Sequence, residues 1–258
     1  MRRRAHLDLD NPCRRARPPA VSVLSESLGT AAALLAQGDR ALWHTVVLSL
    51  QVSGSACLLG AGFGIALGAA LAAYRFAGQR ALVLLLNTLL ALPSVVVGLM
   101  VYLLLSRQGP LGSLGILFTP TAMVIAQSVL VVPLIAALTR RLLLSALAEG
   151  GDQLRSLGAG PGQAALLLLV HERFGLLTVL LTAFGRAIAE VGAVMIVGGN
   201  IDGVTRVMTT SIALETSKGD LPLALALGFV LLAVVGLINA LIGLLQWRGA
   251  RAPAEAMA

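Results

Sequence analysis

From residue 41 onward, long uncharged apolar stretches alternate with short segments that carry arginine. Each stretch is long enough to be a helix crossing a bilayer. Ala41 to Tyr74 contains no Asp, Glu, Lys or Arg, whereas about 20 apolar residues suffice for one span. A second stretch, 81–106, is interrupted by Leu92-Pro93-Ser94. A proline in a membrane helix frees a carbonyl and kinks the rod, so it is tolerated where neighbours or a water-lined path satisfy the backbone. Pro93 is therefore a candidate path residue. The third span is read from Pro120 to Leu138, with Pro133 inside it and Arg140 and Arg141 stopping it. The fourth runs from Phe174 to about Val197, and the fifth from Leu221 to Trp247, before Arg248 and Arg251. Within the first span, Gly60 and Gly64 stand four apart, a spacing that lets two helix backbones approach closely. The pattern predicts an all-α membrane protein of about five transmembrane helices, in one domain over 41–247.

The segments between spans are of different kinds. Residues 1–20 hold six arginines, the Pro18-Pro19 pair and no apolar run, a composition that predicts disorder. No 7–15 residue apolar core follows the charged start directly, so this is not a secretory signal. Residues 21–40 carry Leu24, Leu28, Leu34 and Leu35 beside Glu26, and read as an amphipathic helix along the interface. The most informative segment is the polar, glycine-bearing insert of 142–173, expected as two short helices about a turn at Gly158 to Gly162. A loop over 198–220 holds Arg206, Lys218 and the hydroxyl cluster Thr209, Thr210 and Ser211. Residues 248–258 form a tail.

Composition sharpens this picture. Of 258 residues, 57% are hydrophobic and 12% charged, about half the charged fraction of a soluble domain. The net charge of +7 includes a single lysine, and no aromatic-and-basic stripe accompanies it, which argues against nucleic acid as a partner. Topology explains the charge better. The loops after spans one and three and the C-terminus hold Arg75, Arg80, Arg140, Arg141, Arg155, Arg173, Arg248 and Arg251, against Arg107, Arg206 and Lys218 in the two opposite loops. The bias predicts a cytoplasmic insert and C-terminus. Five spans would leave the N-terminal arginines outside, against that bias. Either residues 1–20 precede the true start, or residues 21–38 cross as well; the first reading leaves the rest of the chain consistent. Cys13 and Cys57 are assigned no function, and His6, His44 and His171 lack metal-ligand spacing. The chain has no Gly-x-x-x-x-Gly-Lys-[Ser/Thr] phosphate loop, so it should not hydrolyse ATP by itself.

The insert resembles the cytoplasmic EAA loop of type I ABC importer permeases: E-A-A, three residues, G, nine residues, then I-x-L-P. Asp152 stands at the Glu position, Gln153 and Leu154 at the alanines, and Gly158 at the required glycine, followed by Ala159, Pro161 and Gln163. Leu168 and Val170 take the apolar positions, and His171 replaces the proline. Leu92 to Gly98 with Arg107 to Gly112 looks like the matching segment of oxyanion permeases. Phe184 to Asn200 with Met208 to Asp220 is similar to the tungstate-type members of the tungstate, molybdate and sulfate group. The resemblance implies a multi-pass permease of a bacterial or archaeal cell membrane, in contact with membrane lipid. It further implies a homodimer served by two ABC ATPase subunits and an extracytoplasmic oxyanion-binding protein, with ATP held by the ATPase and no cofactor in this chain.

Physical reasoning gives these residues roles and plain alternatives. Gly158 lets the chain turn after the first short helix. Asp152 and Arg155, three apart, can pair with each other or with a partner. Arg186 and Glu190 lie four apart inside a span, where charge is costly; they are either an internal ion pair or part of the path. Thr209, Thr210 and Ser211 either donate to oxyanion oxygens or cap a short helix. A secondary transporter would need more intramembrane carboxylates than Glu190. An intramembrane enzyme would need a partner motif that His171-Glu172 lacks.

Overall fold

The computed structural model describes residues 27–30, 32–33, 36 and 40–255. The basic segment 1–20 and most of the expected interfacial helix over 21–40 lie outside the described residues. From Arg40 the chain forms α1 (Arg40–Ala73), α2 (Gln79–Leu90), α3 (Ser94–Leu105), a 3-10 turn (Gly112–Leu114), α4 (Pro120–Ser156), α5 (Pro161–His171), α6 (Arg173–Ile188), α7 (Gly192–Gly198), α8 (Met208–Lys218) and α9 (Leu221–Glu255). Three helices are each long and apolar enough to cross a membrane: α1, α4 and the Leu221–Ala240 part of α9. Two bent pairs raise the number of possible spans to 5, with α2 and α3 meeting at 102° and α5 and α6 at 77°. Leu58, Phe63, Leu232 and Leu237 are 77%, 70%, 68% and 72% exposed, as expected for side chains that face lipid instead of water.

Three expectations about helix extent give way. The interruption expected at Leu92-Pro93-Ser94 is present, and it is a full break instead of a kink in one rod: α2 ends at Leu90 and α3 starts at Ser94, with Pro93 as the extended residue ahead of it (φ -62°, ψ 130°). Its fixed φ and missing N–H suit a helix start better than a helix interior. Arg140 and Arg141 do not end the third helix, because α4 continues to Ser156 for 37 residues. At about 1.5 Å per residue it is roughly 55 Å long, against a hydrocarbon core of about 30 Å. Arginine is a good helix former, so the helix runs on past the apolar stretch. The fourth span is not continuous either, since α6 stops at Ile188 and α7 starts at Gly192. The expected 198–220 loop also contains α8, 11 residues or about three turns.

The closest helix packing joins α1 to α4. A Cβ at Gly60 would stand 2.9 Å from Val131 Cγ1, one at Gly64 2.8 Å from Ile135 Cβ, and one at Gly68 2.5 Å from the Ala136 carbonyl oxygen. The glycine stripe thus fixes how near α4 lies, and extends one turn beyond the pair singled out from spacing. Around this seam Val52 of α1, Val97 and Val101 of α3, Met123 of α4 and Val194 of α7 form one buried cluster. Leu143 and Ala146 of α4 pack with Leu168 of α5 at the basic end.

Candidate functional site

The projecting end of α4 turns back into α5 by a hydrogen-bonded reversal. The Gly158 N–H donates to the Arg155 carbonyl at 2.9 Å and the Ala159 N–H to the Leu154 carbonyl at 3.0 Å, the paired bonds of a Schellman termination. Gly158 has φ +83°, a left-handed conformation that glycine adopts without Cβ strain. Pro161 opens α5, and the Gln163 side-chain oxygen accepts the Gly160 N–H at 3.0 Å, so one orphan donor of the helix start is satisfied. Asp152 and Arg155 pair at 3.2 Å with side chains 99% and 74% exposed. Leu157 stands at the apex, 82% exposed. All six residues expected in the insert gather on this tip, Asp152 and Arg155 on the end of a membrane helix and not on a separate short one. The tip is braced from α1: Gly162 lies so near Tyr74 that a Cβ would be 2.5 Å from its hydroxyl.

The second site is the break between α6 and α7. Ending a helix in an apolar interior leaves carbonyls and N–H groups without partners, and here side chains from two other helices and from Glu190 itself bond to them. Gln127 of α4 donates to the Ala187 carbonyl at 2.9 Å. Thr209 of α8 donates to the Glu190 carbonyl at 2.9 Å. Glu190, 3% exposed, takes the Arg186 guanidinium at 2.6 Å, and its other oxygen accepts the Ala193 N–H at 3.2 Å. Ser94, the first residue of α3, lies beside this break, its hydroxyl against Gly192. A carboxylate at a helix start is favoured by the free N–H groups and the dipole there. Arg186 is 46% exposed, so the pair has a buried anionic end and an open cationic one. The internal ion pair is therefore present.

The start of α8 is held in the same way. Ser49 of α1 accepts the Met208 N–H at 2.9 Å, and Thr210 accepts the Val207 N–H at 3.1 Å. Thr210 is thus a helix cap, Thr209 a clasp on the break, and Ser211 is buried beside them. The polar groups of Ser49, Ser53, Gln127, Glu190 and Thr209 line a cavity of about 10 Å³, the room of a single water. Pro93 lies outside this group but adjoins it through Ser94. Sequence reasoning missed Gln127, Ser49 and Ser94. Their signal was available, since each is a hydrogen-bonding side chain within an otherwise apolar stretch. Among the described residues no group of three His, Cys, Asp or Glu side chains could hold a metal ion.

A bundle of apolar helices, broken at a half-buried ion pair and ending in a braced hairpin, defines an all-α multi-pass membrane protein. No family model matches the chain. It is 44% identical to the tungstate uptake system permease protein TupB of Peptoclostridium acidaminophilum, over 86% of this chain and 98% of that protein. A probable anion ABC transporter permease protein of Haloferax volcanii is 40% identical, over 81% and 93% respectively. A TupB of Campylobacter jejuni is 39% identical over 64% of this chain and 70% of its own length. The chain belongs to the family of ABC transporter permeases that includes the tungstate uptake permeases. Those relatives are transport components, not enzymes.

Proposed function

We propose that this chain is the membrane-spanning subunit of an ABC importer for tungstate. It works as a homodimer with two cytoplasmic ATPase subunits and is fed by an extracytoplasmic oxyanion-binding protein. The 44% identity to a tungstate permease over 98% of that protein's length carries the substrate reading. The arginine distribution supports a cytoplasmic hairpin and C-terminus. ATP is bound by the partner ATPase, and this chain needs no cofactor of its own.

The hairpin about Gly158 is the coupling element. Leu157 and the Asp152–Arg155 pair present one apolar and two charged groups to a groove on the ATPase. The Schellman reversal and the Tyr74 brace make the tip rigid enough to pass a push to α4 and α1. The push reaches the α6–α7 break because Gln127 of the same α4 holds the Ala187 carbonyl. There the exposed side of Arg186 offsets the charge of a passing dianion, Glu190 holds that guanidinium in place, and Thr209, Thr210 and Ser211 shape the wall behind. A lone half-exposed arginine is a weak site, and a path must release what it admits. Alternating access follows as the broken helices re-pack between two arrangements.

The test is ATPase activity of the chain reconstituted in liposomes with its ATPase and binding protein, with tungstate, molybdate or sulfate, for wild type and Gly158→Glu. Tungstate-stimulated hydrolysis that disappears in the variant is the expected result. Stimulation by another oxyanion alone would remove the substrate assignment and leave the importer. Solute movement without ATP would remove both.

A further inference from the structure

A second feature of the basic end is independent of the cargo. A cavity of about 470 Å³ lies between the end of α1, the start of α2, α4 and α5, and its polar wall is Arg75, Gln79, Arg140 and Arg155. No carboxylate lines it. Among the described residues neither Arg75 nor Arg140 has an ion-pair partner. The Arg140 Nε is buried and lacks a hydrogen-bond acceptor. Arg155 is tied to Asp152 only by a pair exposed on both sides, an association weak enough for a better acceptor to displace. Two unpaired guanidinium groups about one cavity, Arg75 and Arg140, one with an unused buried donor, suit a phosphate group.

On the other side of Arg140 the lining changes. A groove of about 220 Å³ between α2 and α4 shares Arg140 and Leu144 with the basic cavity, has Arg141 and Asn87 as its other polar members, and continues along Leu86, Leu90, Leu134 and Leu138. From Arg140 back to Leu134 the groove follows six residues of α4, roughly 9 Å, enough for the upper part of an acyl chain within one leaflet of a core about 30 Å thick. A free oxyanion has no use for such a groove, and an acidic side chain from a soluble protein would not enter it. An occupant that is anionic at one end and hydrocarbon along the other matches both halves at once.

We infer that this composite site binds an anionic phospholipid, the phosphate held by Arg140 and Arg75 and an acyl chain lying between α2 and α4. Basic pockets at the ends of membrane helices are suited to such headgroups. The site lies at the root of the hairpin, where α4 leaves the bilayer, so a bound lipid would tie the membrane surface to the base of the tip.

Native mass spectrometry of the full chain in detergent tests this, titrating phosphatidylglycerol against phosphatidylcholine with the same acyl chains, and inorganic phosphate and tungstate as free oxyanions. Phosphatidylglycerol is expected to bind in preference to phosphatidylcholine. Loss of one charged contact should weaken it about tenfold in Arg140→Gln, with Arg140→Lys retaining part of the affinity and Arg107→Gln at the opposite end none the worse. If Arg140→Gln does not fold, Arg75→Gln, which alters an exposed side chain, gives the same reading. Equal binding of both lipids, or phosphatidylglycerol binding indifferent to both arginines, overturns the inference. So does Arg140-dependent binding of phosphate or tungstate that displaces the lipid, since the site would then serve a free oxyanion.

Discussion

Replacing Gly68 by alanine isolates the packing of α1 on α4 more cleanly than any other single change. The added Cβ would meet the Ala136 carbonyl oxygen at 2.5 Å, Thr139 Cβ at 2.9 Å and the Arg140 nitrogen at 3.1 Å. Two of these atoms are backbone and cannot rotate away, so the helices must part by roughly 1 Å to restore ordinary contact. Overpacking of this kind costs about 1–3 kcal/mol. Alanine also gains up to about 1 kcal/mol over glycine in helix propensity, which confuses a single measurement. Gly62 removes that confusion, because it lies on the same helix and a Cβ there meets nothing within 4 Å. Both variants share the propensity gain, and the difference between them is the packing cost alone. Thermal unfolding of the full chain in detergent can be followed by a thiol-reactive dye on buried Cys57, in a Cys13→Ser background. The G68A protein should melt roughly 5 °C below G62A, taking about 2–4 °C per kcal/mol for a chain of this size. Coincident melting curves would refute the claim that the glycine stripe sets the α1–α4 distance.

Three further outcomes follow from other parts of the molecule. Glu190→Ala strands the Ala193 N–H and leaves Arg186 without its anion, and should lower stability by about 2–4 kcal/mol; Glu190→Gln, which keeps an acceptor for Ala193, should cost distinctly less in the same melt. Thr205 is fully buried, donates to the Gly198 carbonyl at 2.6 Å and accepts the Ile201 N–H at 2.9 Å, so Thr205→Val should cost about 1–3 kcal/mol, and an unchanged melting point would sink that account. At the tip, Gly158→Asn should be tolerated, because a Cβ there has open space and asparagine visits the left-handed region, whereas Gly158→Val should reduce tungstate-stimulated ATPase activity of the reconstituted complex without lowering the melting point by more than a few degrees.

The apolar stretches determined the class of the molecule without help from its tertiary structure. A bilayer leaves no alternative to helices for chain segments of that length and apolarity, so composition and the spacing of arginines were enough to find the spans. The turn at Gly158, the Asp152–Arg155 pair and the Gly60–Gly64 contact were equally legible, because each depends on neighbours three to four residues away or on the conformation of one residue. Helix ends were not legible in the same way. Arg140 and Arg141 end the apolar stretch, and the helix runs past them because its hydrogen bonds continue in either environment. The break at Glu190 could not be found from its own segment, since Arg186 and Glu190 four apart are equally compatible with an ion pair on a continuous helix. It is stable because Gln127 and Thr209, distant in sequence, bond carbonyls on either side of the interruption in an apolar interior. The same holds for the basic cavity: its arginines were counted along the chain as markers of topology. Only the approach of α1, α2, α4 and α5 places Arg75, Arg140 and Arg155 around one space, next to a groove that no single segment contains.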